Sequence, residues 1–218
     1  KVGIIGATGY AGVELIRLLL GHPKAKITAL CSVSFEGKPI SEIYPALYQI
    51  NDDVLVDEDT VIDQCDVIFA SLPYGLCEAL AKKAVGQGKK FIDLGADFRL
   101  HEEADYQQWY HGSYQPPEAH SHAVYSIPEI TGDAVKSAQV IANPGCYPTS
   151  VAIGLAPALK NGLISTKGIV IDSKSGVTGA GRGLTQNTHY PECNEAFAPY
   201  KVGAHRHTPE IEQMLSEL

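Results

Sequence analysis

The sequence has few arginines, no basic excess and no long apolar run, and each shortage closes off a class of protein. Nothing in the 218 residues approaches the apolar length that a bilayer-spanning helix needs, and no basic start leads into an apolar signal segment. The formal net charge of −8 leaves no basic face for nucleic acid or for an anionic membrane. The five cysteines, Cys31, Cys65, Cys77, Cys146 and Cys193, are odd in number and include no C-x-x-C pair. Neither a disulfide framework nor a zinc site is therefore expected, and free thiols point to a soluble, cytoplasmic protein. No internal repeat or low-complexity tract occurs. Of only four arginines, Arg99, Arg182 and Arg206 fall in segments with the look of binding sites rather than helix surface. A planar guanidinium suits carboxylate and phosphate, so a small anionic substrate is expected.

What is present is a chain that is 44% hydrophobic, enough for a substantial core. It begins at Lys1 within a strand pattern, so a short leader is expected to precede it. The first third alternates strand and helix: "KVGIIG", a helix from about Tyr10 to Leu20 with Val13, Ile16, Leu19 and Leu20 on one side, then "KITALCS". After a polar loop from Phe35 to Asn51 come the strand "DVIFAS", the helix "GLCEALAKKAVGQG" and the strand "KKFIDLG". This alternation predicts an α/β fold with a Rossmann-like, doubly wound parallel sheet. From Leu100 to Thr131 the text turns to Tyr, His and Pro with little periodicity and reads as a long surface excursion. "AQVIAN" is expected to be the last strand of a nucleotide-binding domain at 1–142, and a catalytic α+β domain is expected at 143–218. In that second domain we expect a helix "PTSVAIGLAPALKNG" despite Pro157, and a strand "GIVIDSKSG". A final helix is expected with Thr208 as cap and Pro209 as its first residue. With no strand following to cover that helix, the second domain reads as incomplete.

Gly6, Gly9 and Gly12 stand directly after the first strand and open the first helix. Glycines there let the backbone turn tightly and approach a pyrophosphate bound by the helix amides. The second strand ends without the carboxylate that usually holds the ribose of NAD; Ser32, Ser34 and Lys38 instead suit a 2′-phosphate, which favours NADP(H). Cys146, between a Pro-Gly and a Tyr-Pro pair at a helix start, has two readings. Free cysteine is commonly a buried filler, but a helix N-terminus favours a thiolate nucleophile and supplies amides for an oxyanion. His205 and His207 are two apart before a helix and share a face of extended chain, where an imidazole can act as base and acid for a thiol. No third ligand is spaced to make them a metal site. For His22, His101, His111, His120 and His122, exposure in turns and loops is sufficient explanation.

Taken in order, "GATGYAG", "DLGADFRL", "ANPGCYPT", "SGVTGAGR" and "HRHTPEIEQ" resemble the N-acetyl-γ-glutamyl-phosphate reductase family of arginine biosynthesis, relatives of aspartate-semialdehyde dehydrogenase. The resemblance runs through essentially the whole chain. It implies NADPH-dependent reduction of an acyl phosphate to a semialdehyde through a cysteine thioester. It further implies Cys146 as nucleophile, His207 as its acid/base partner, and His205 beside it as orienter or carboxylate contact. Which histidine moves the proton stays open at this point. Arg99 matches the family's phosphate contact, and Arg182 and Arg206 become candidates for the substrate carboxylate or for structural pairing. The cofactor site implied comprises Gly6, Thr8, Gly9, Tyr10 and Gly12, with Ser32, Ser34 and Lys38 near the 2′-phosphate, Pro73, and Ser175 and Gly176 near the nicotinamide. Gly95 and Tyr74 depart from the family's usual serine and histidine. The resemblance also implies further strands, an oligomer contact and a last helix beyond Leu218, with a homo-oligomer when full length. Aspartate-semialdehyde dehydrogenase and aminoadipyl-phosphate reductase activity are the nearest alternatives, and a nucleotide-sensing protein without catalysis is a third.

Overall fold

A computed structural model describes residues 1–114, 120 and 122–218 of the chain. Its contacts divide it into two units, Lys1–Gly145 and Cys146–Leu218. The first is built on β1 (Val2–Ile5), β2 (Ile27–Cys31), β3 (Val67–Ala70), β4 (Lys90–Asp93), β5 (Ala123–Tyr125) and β6 (Val140–Ala142). The six strands are hydrogen-bonded in the order β2-β1-β3-β4-β6-β5, every pairing parallel. The doubly wound sheet expected from the alternation is therefore present. Chain order reverses between β1 and β3, and ligands of such sheets bind beyond the strand ends at that reversal.

Parallel strands need crossovers, and helices α1 (Tyr10–Leu20), α2 (Glu58–Gln64) and α3 (Cys77–Gly86) supply three of them. On one side of the sheet Ile4, Ile16, Leu30, Ile40, Leu47 and Leu55 bury together; on the other, Ile5, Val61, Ile62, Ile68, Ala81 and Phe91 do. The segment from Phe35 to Asn51 is more than a polar loop. It carries helical turns at Ile40–Ile43 and Pro45–Leu47, and its Ile40 and Leu47 are part of that first cluster. Helix α2 was not anticipated, although its start is visible in the sequence: Asp57 accepts from the Thr60 amide, with Glu58 and Asp59 in the first turn.

The expected surface excursion from Leu100 to Thr131 is corrected by the structure; residues 115–119 and 121 of it lie outside the described residues. It contains α4 (Glu103–Tyr110), β5 and a helical turn at Pro128–Thr131. Tyr106, Tyr110 and Tyr114 are buried with Ala96 and Leu100, and the rings of Tyr106 and Tyr110 stack at 5.0 Å. Four-residue spacing brings those rings onto one helix face, so the aromatic richness is a small core of its own. His120 is likewise not an exposed loop residue. Its side chain is 10% accessible, stacks on Tyr114 with ring centroids 3.6 Å apart, and bonds Glu78 through Nε2. Burial lowers its pKa to about 4.

The second unit holds α5 (Cys146–Lys160) and α6 (Thr208–Ser216), which pack on each other. Helix α5 tolerates Pro157 in its last turn and ends as expected, with Gly162 in the left-handed region and Asn161 Nδ2 donating to the Pro157 carbonyl. The strand expected at "GIVIDSKSG" is absent, because a strand needs a neighbour to bond and the described residues of this unit supply none. Helix α6 is capped by His207 rather than Thr208, one residue earlier than expected, and Pro209 becomes its second residue.

Candidate functional site

The glycine turn after β1 is a close approach of backbone to backbone. Gly6 has φ +83°, and a Cβ there would lie 2.3 Å from the Ser71 carbonyl oxygen, so only glycine fits. At Gly12 a Cβ would lie 2.3 Å from the Gly6 oxygen, whereas at Gly9 the nearest atom would be at an ordinary 3.5 Å. Gly9 caps α1 with no side-chain bond to its first amides, which leaves a helix start shaped for an anion. Gly12→Ala is thus expected to cost about 3 kcal/mol, the upper part of the overpacking range, and to weaken nucleotide binding. Gly9→Ala should cost far less; urea denaturation and nucleotide titration of the two variants check this.

Thr8 is fixed from two directions. Its hydroxyl shares a 2.7 Å bond with Ser32 Oγ, and its carbonyl accepts from Tyr44 at 2.9 Å. Ser32 is buried, while Ser34, Lys38, Pro73 and Tyr10 are exposed. Sequence reasoning missed Tyr44, which lies 36 residues from Thr8 and has no local signal.

Beyond β3 and β4 lies a buried acidic pair that sequence reasoning also missed. Asp97 accepts from the Gly75 amide at 2.6 Å, the Cys77 amide at 2.8 Å and the Tyr106 hydroxyl at 3.1 Å. Because Leu76 offers α3 no side-chain cap, Asp97 caps that helix from across the fold. Asp93 accepts from the Gly95 amide through Oδ1, and among the described residues its buried Oδ2 meets no nitrogen or oxygen donor, only the Cys77 thiol acting on the carboxyl. Gly95 leaves little room beside it, since a Cβ there would lie 2.9 Å from Asp93 Oδ1. Burial raises the Asp93 pKa from 3.8 to about 6; Asp97 adds to this, and Cys77, Gly95 and Arg99 oppose it.

The folded state therefore holds a proton that the unfolded chain releases near pH 3.8, and stability is lost as pH rises from about 4 to about 6, by roughly 3 kcal/mol. Asp93→Asn should gain on the wild type across that window and match it most closely at the acid end, as urea titrations at both ends would show.

Arg99 is buried, with Nε on the Asn143 carbonyl at 2.9 Å and Nη2 on the Leu94 carbonyl at 2.7 Å. It braces the segment that leads towards Cys146. Cys31, Cys65 and Cys77 are buried thiols, and burial pushes Cys31 up to about 12 and Cys77 higher still.

In the second unit Cys146 is exposed and is the first residue of the 15-residue α5. Its neighbour Tyr147 stands edge-on to both His205 and His207, with ring centroids at 5.2 and 5.9 Å. The two imidazoles are 4.8 Å apart. Tyr147 donates to Ser175 Oγ at 2.8 Å and accepts from Tyr200 at 2.8 Å. Residues 146, 175, 205 and 207, singled out separately in the sequence, thus belong to one cluster, and Tyr147 and Tyr200 are its unforeseen members. Gly176 precedes a helical turn at Val177–Ala180, Arg182 is exposed just after it, and Arg206 is half-buried between the histidines. Burial, then Lys201 and Arg206, lowers the pKa of His205. Among the described residues no helix is long and apolar enough to cross a membrane.

A parallel sheet with a glycine turn at its reversal point, followed by a unit bearing an exposed helix-start cysteine, defines a dinucleotide-binding α/β protein with an appended cysteine unit. Comparison with known families matches residues 1–138 to the semialdehyde dehydrogenase NAD binding domain and residues 146–218 to the semialdehyde dehydrogenase dimerisation domain. The chain belongs to the semialdehyde dehydrogenase family. It is 57% identical over 218 residues to an N-acetyl-gamma-glutamyl-phosphate reductase of Clostridium beijerinckii, and 56% identical over 225 to one of Brachyspira hyodysenteriae. All of this chain is matched, but it spans only 63% and 64% of those relatives' lengths. Its fold is similar to that of aspartate semialdehyde dehydrogenase from Candida albicans, solved with NADP. That likeness has a TM-score of 0.53 and 19% identity, over 74% of this chain and 47% of that one. A second, from Vibrio cholerae, has a TM-score of 0.53 and 23% identity over 73% and 46%.

Proposed function

We propose that the intact protein reduces N-acetyl-γ-glutamyl phosphate to N-acetylglutamate 5-semialdehyde and phosphate in arginine biosynthesis, using NADPH and a thioester on Cys146. The observation that carries this reading is the exposed Cys146 at the start of α5, with the ring of its neighbour Tyr147 against both His205 and His207. The names of the relatives at 57% and 56% identity supply the substrate.

In this reading the Cys146 thiolate adds to the acyl carbonyl and the amides that open α5 hold the oxyanion. The carbon–oxygen bond to phosphate breaks, phosphate leaves, and the thioester remains. NADPH, when bound, would supply the hydride needed to take the thioester to the aldehyde and free the thiol. His207 supplies and removes the proton, with His205 beside it. Arg99, Arg182 and Arg206 serve phosphate and carboxylate, Arg99 through the backbone it braces. The turn of Gly6, Thr8, Gly9, Tyr10 and Gly12 suits a pyrophosphate, since close backbone packing at Gly6 and Gly12 makes it tight and Gly9 puts no side chain over the start of α1. Ser32, Ser34 and Lys38 receive the 2′-phosphate, Pro73 borders the cofactor, and Ser175 and Gly176 lie by the nicotinamide. All five thiols are free, in keeping with a cytoplasmic enzyme.

Self-association through the second unit is part of the proposal. The matching family model is a dimerisation domain, and Val170, Leu184, Phe197 and Val202 are at least 81% exposed, apolar side chains that water disfavours. Assay of the intact protein with NADPH and the N-acetylglutamyl, aspartyl and aminoadipyl phosphates tests the reading. The first is expected to turn over fastest; preference for either of the others overturns the substrate, and inertness towards all three overturns the enzyme.

A further inference from the structure

Three directed hydrogen bonds in the second unit, with a fourth contact whose direction depends on the His205 tautomer, line up in series. The His207 amide donates to His205 Nδ1 at 3.1 Å. A ring nitrogen that accepts an amide proton carries none of its own, so neutral His205 has its proton on Nε2. That nitrogen lies 3.4 Å from the Tyr200 hydroxyl. Tyr200 donates to the Tyr147 hydroxyl at 2.8 Å, and Tyr147 donates to Ser175 Oγ at 2.8 Å. Each tyrosine oxygen therefore accepts once and donates once, and the bonds polarise one another along the series.

The rings agree with the hydroxyls. His205 has Tyr147 edge-on at 5.2 Å, Tyr200 at 5.5 Å and His207 at 4.8 Å, so the imidazole is held on three sides. The charged groups that act on it are Lys201 and Arg206, both cationic and both opposed to its protonation. Burial, Tyr147 and Cys146 raise the pKa of Tyr200, with Ser175 opposing, which keeps that hydroxyl protonated and able to donate.

We propose that Tyr147 and Tyr200 are positioning residues that hold His205 as the neutral, Nε2-protonated tautomer, so that His205 orients ligands while His207 alone carries the proton. A His205 cation would have to give up the amide bond that orders the start of α6. The inference rests on the reading of Cys146 as nucleophile, but its test reads His205 directly.

In ¹⁵N-histidine NMR of the intact protein, wild-type His205 is expected to show one tautomer, protonated at Nε2, near neutral pH. Tyr147→Phe and Tyr200→Phe should each mix the two tautomers and let His205 protonate at higher pH. In the intact protein each variant should lower kcat about 10- to 100-fold with little change in KM, and move the acid limb of the pH profile upward. A wild-type His205 protonated at Nδ1, or a tautomer unmoved in both variants, overturns the inference. The wild-type spectrum decides even if a variant fails to fold. Turnover retained by Cys146→Ser would instead overturn the function and leave the tautomer result standing.

Discussion

Cys146→Ser in the intact protein is expected to lose turnover by on the order of 10⁴-fold or more, the scale of a lost nucleophile. A serine hydroxyl at the same point stays protonated at neutral pH, and an ester formed on it is a poorer hydride acceptor than a thioester. NADPH binding should change little, because the glycine turn after β1 belongs to the other unit. Iodoacetamide offers a second measure. Cys146 is exposed while Cys31, Cys65 and Cys77 are buried, so peptide mapping should find Cys146 modified well ahead of those three, with activity lost in step. Turnover that survives the substitution would remove Cys146 from the chemistry.

Asp97→Ala is expected to lower stability by about 3–5 kcal/mol, the cost of stranding buried partners of a charged group. The carboxylate is fully buried and accepts from the amides of Gly75 and Cys77 and from the Tyr106 hydroxyl. Its loss uncaps α3 and frees the turn after β3 beside the glycine cradle, so nucleotide affinity should fall as well. Asp97→Asn, which keeps one acceptor oxygen, should recover part of the stability. Urea denaturation of the two variants checks the order, and equal stability for Asp97→Ala and wild type would refute the capping role.

Much of the sheet was legible because its signals are local. Apolar runs of strand length, a helix with Ile16 on its inner side and a glycine turn between them are all written within a few residues. The same holds for Cys146, whose Pro-Gly approach marks a helix start. The failures also share a cause. Asp97 caps a helix that begins 20 residues earlier, and Tyr44 pins a carbonyl 36 residues away, so neither leaves a mark in its own neighbourhood. The tyrosine-rich segment near α4 looked like loop because its helical period is carried by Tyr106 and Tyr110, whose hydroxyls make a buried face read as polar. His120 was misread for the reverse reason. Histidine in loop text is commonly exposed, and its burial depends on Glu78 and Tyr114 meeting it from other elements.

Composition, periodicity and the glycine and cysteine motifs by themselves determined an α/β chain with a parallel sheet, a nucleotide turn and a cysteine at a helix start. Tertiary structure decided which strands are neighbours, which carboxylates are buried, and which rings surround His205. The division follows from range: torsional preference and side-chain period act over a few residues, whereas desolvation and hydrogen-bond partnership depend on what the folded chain brings alongside.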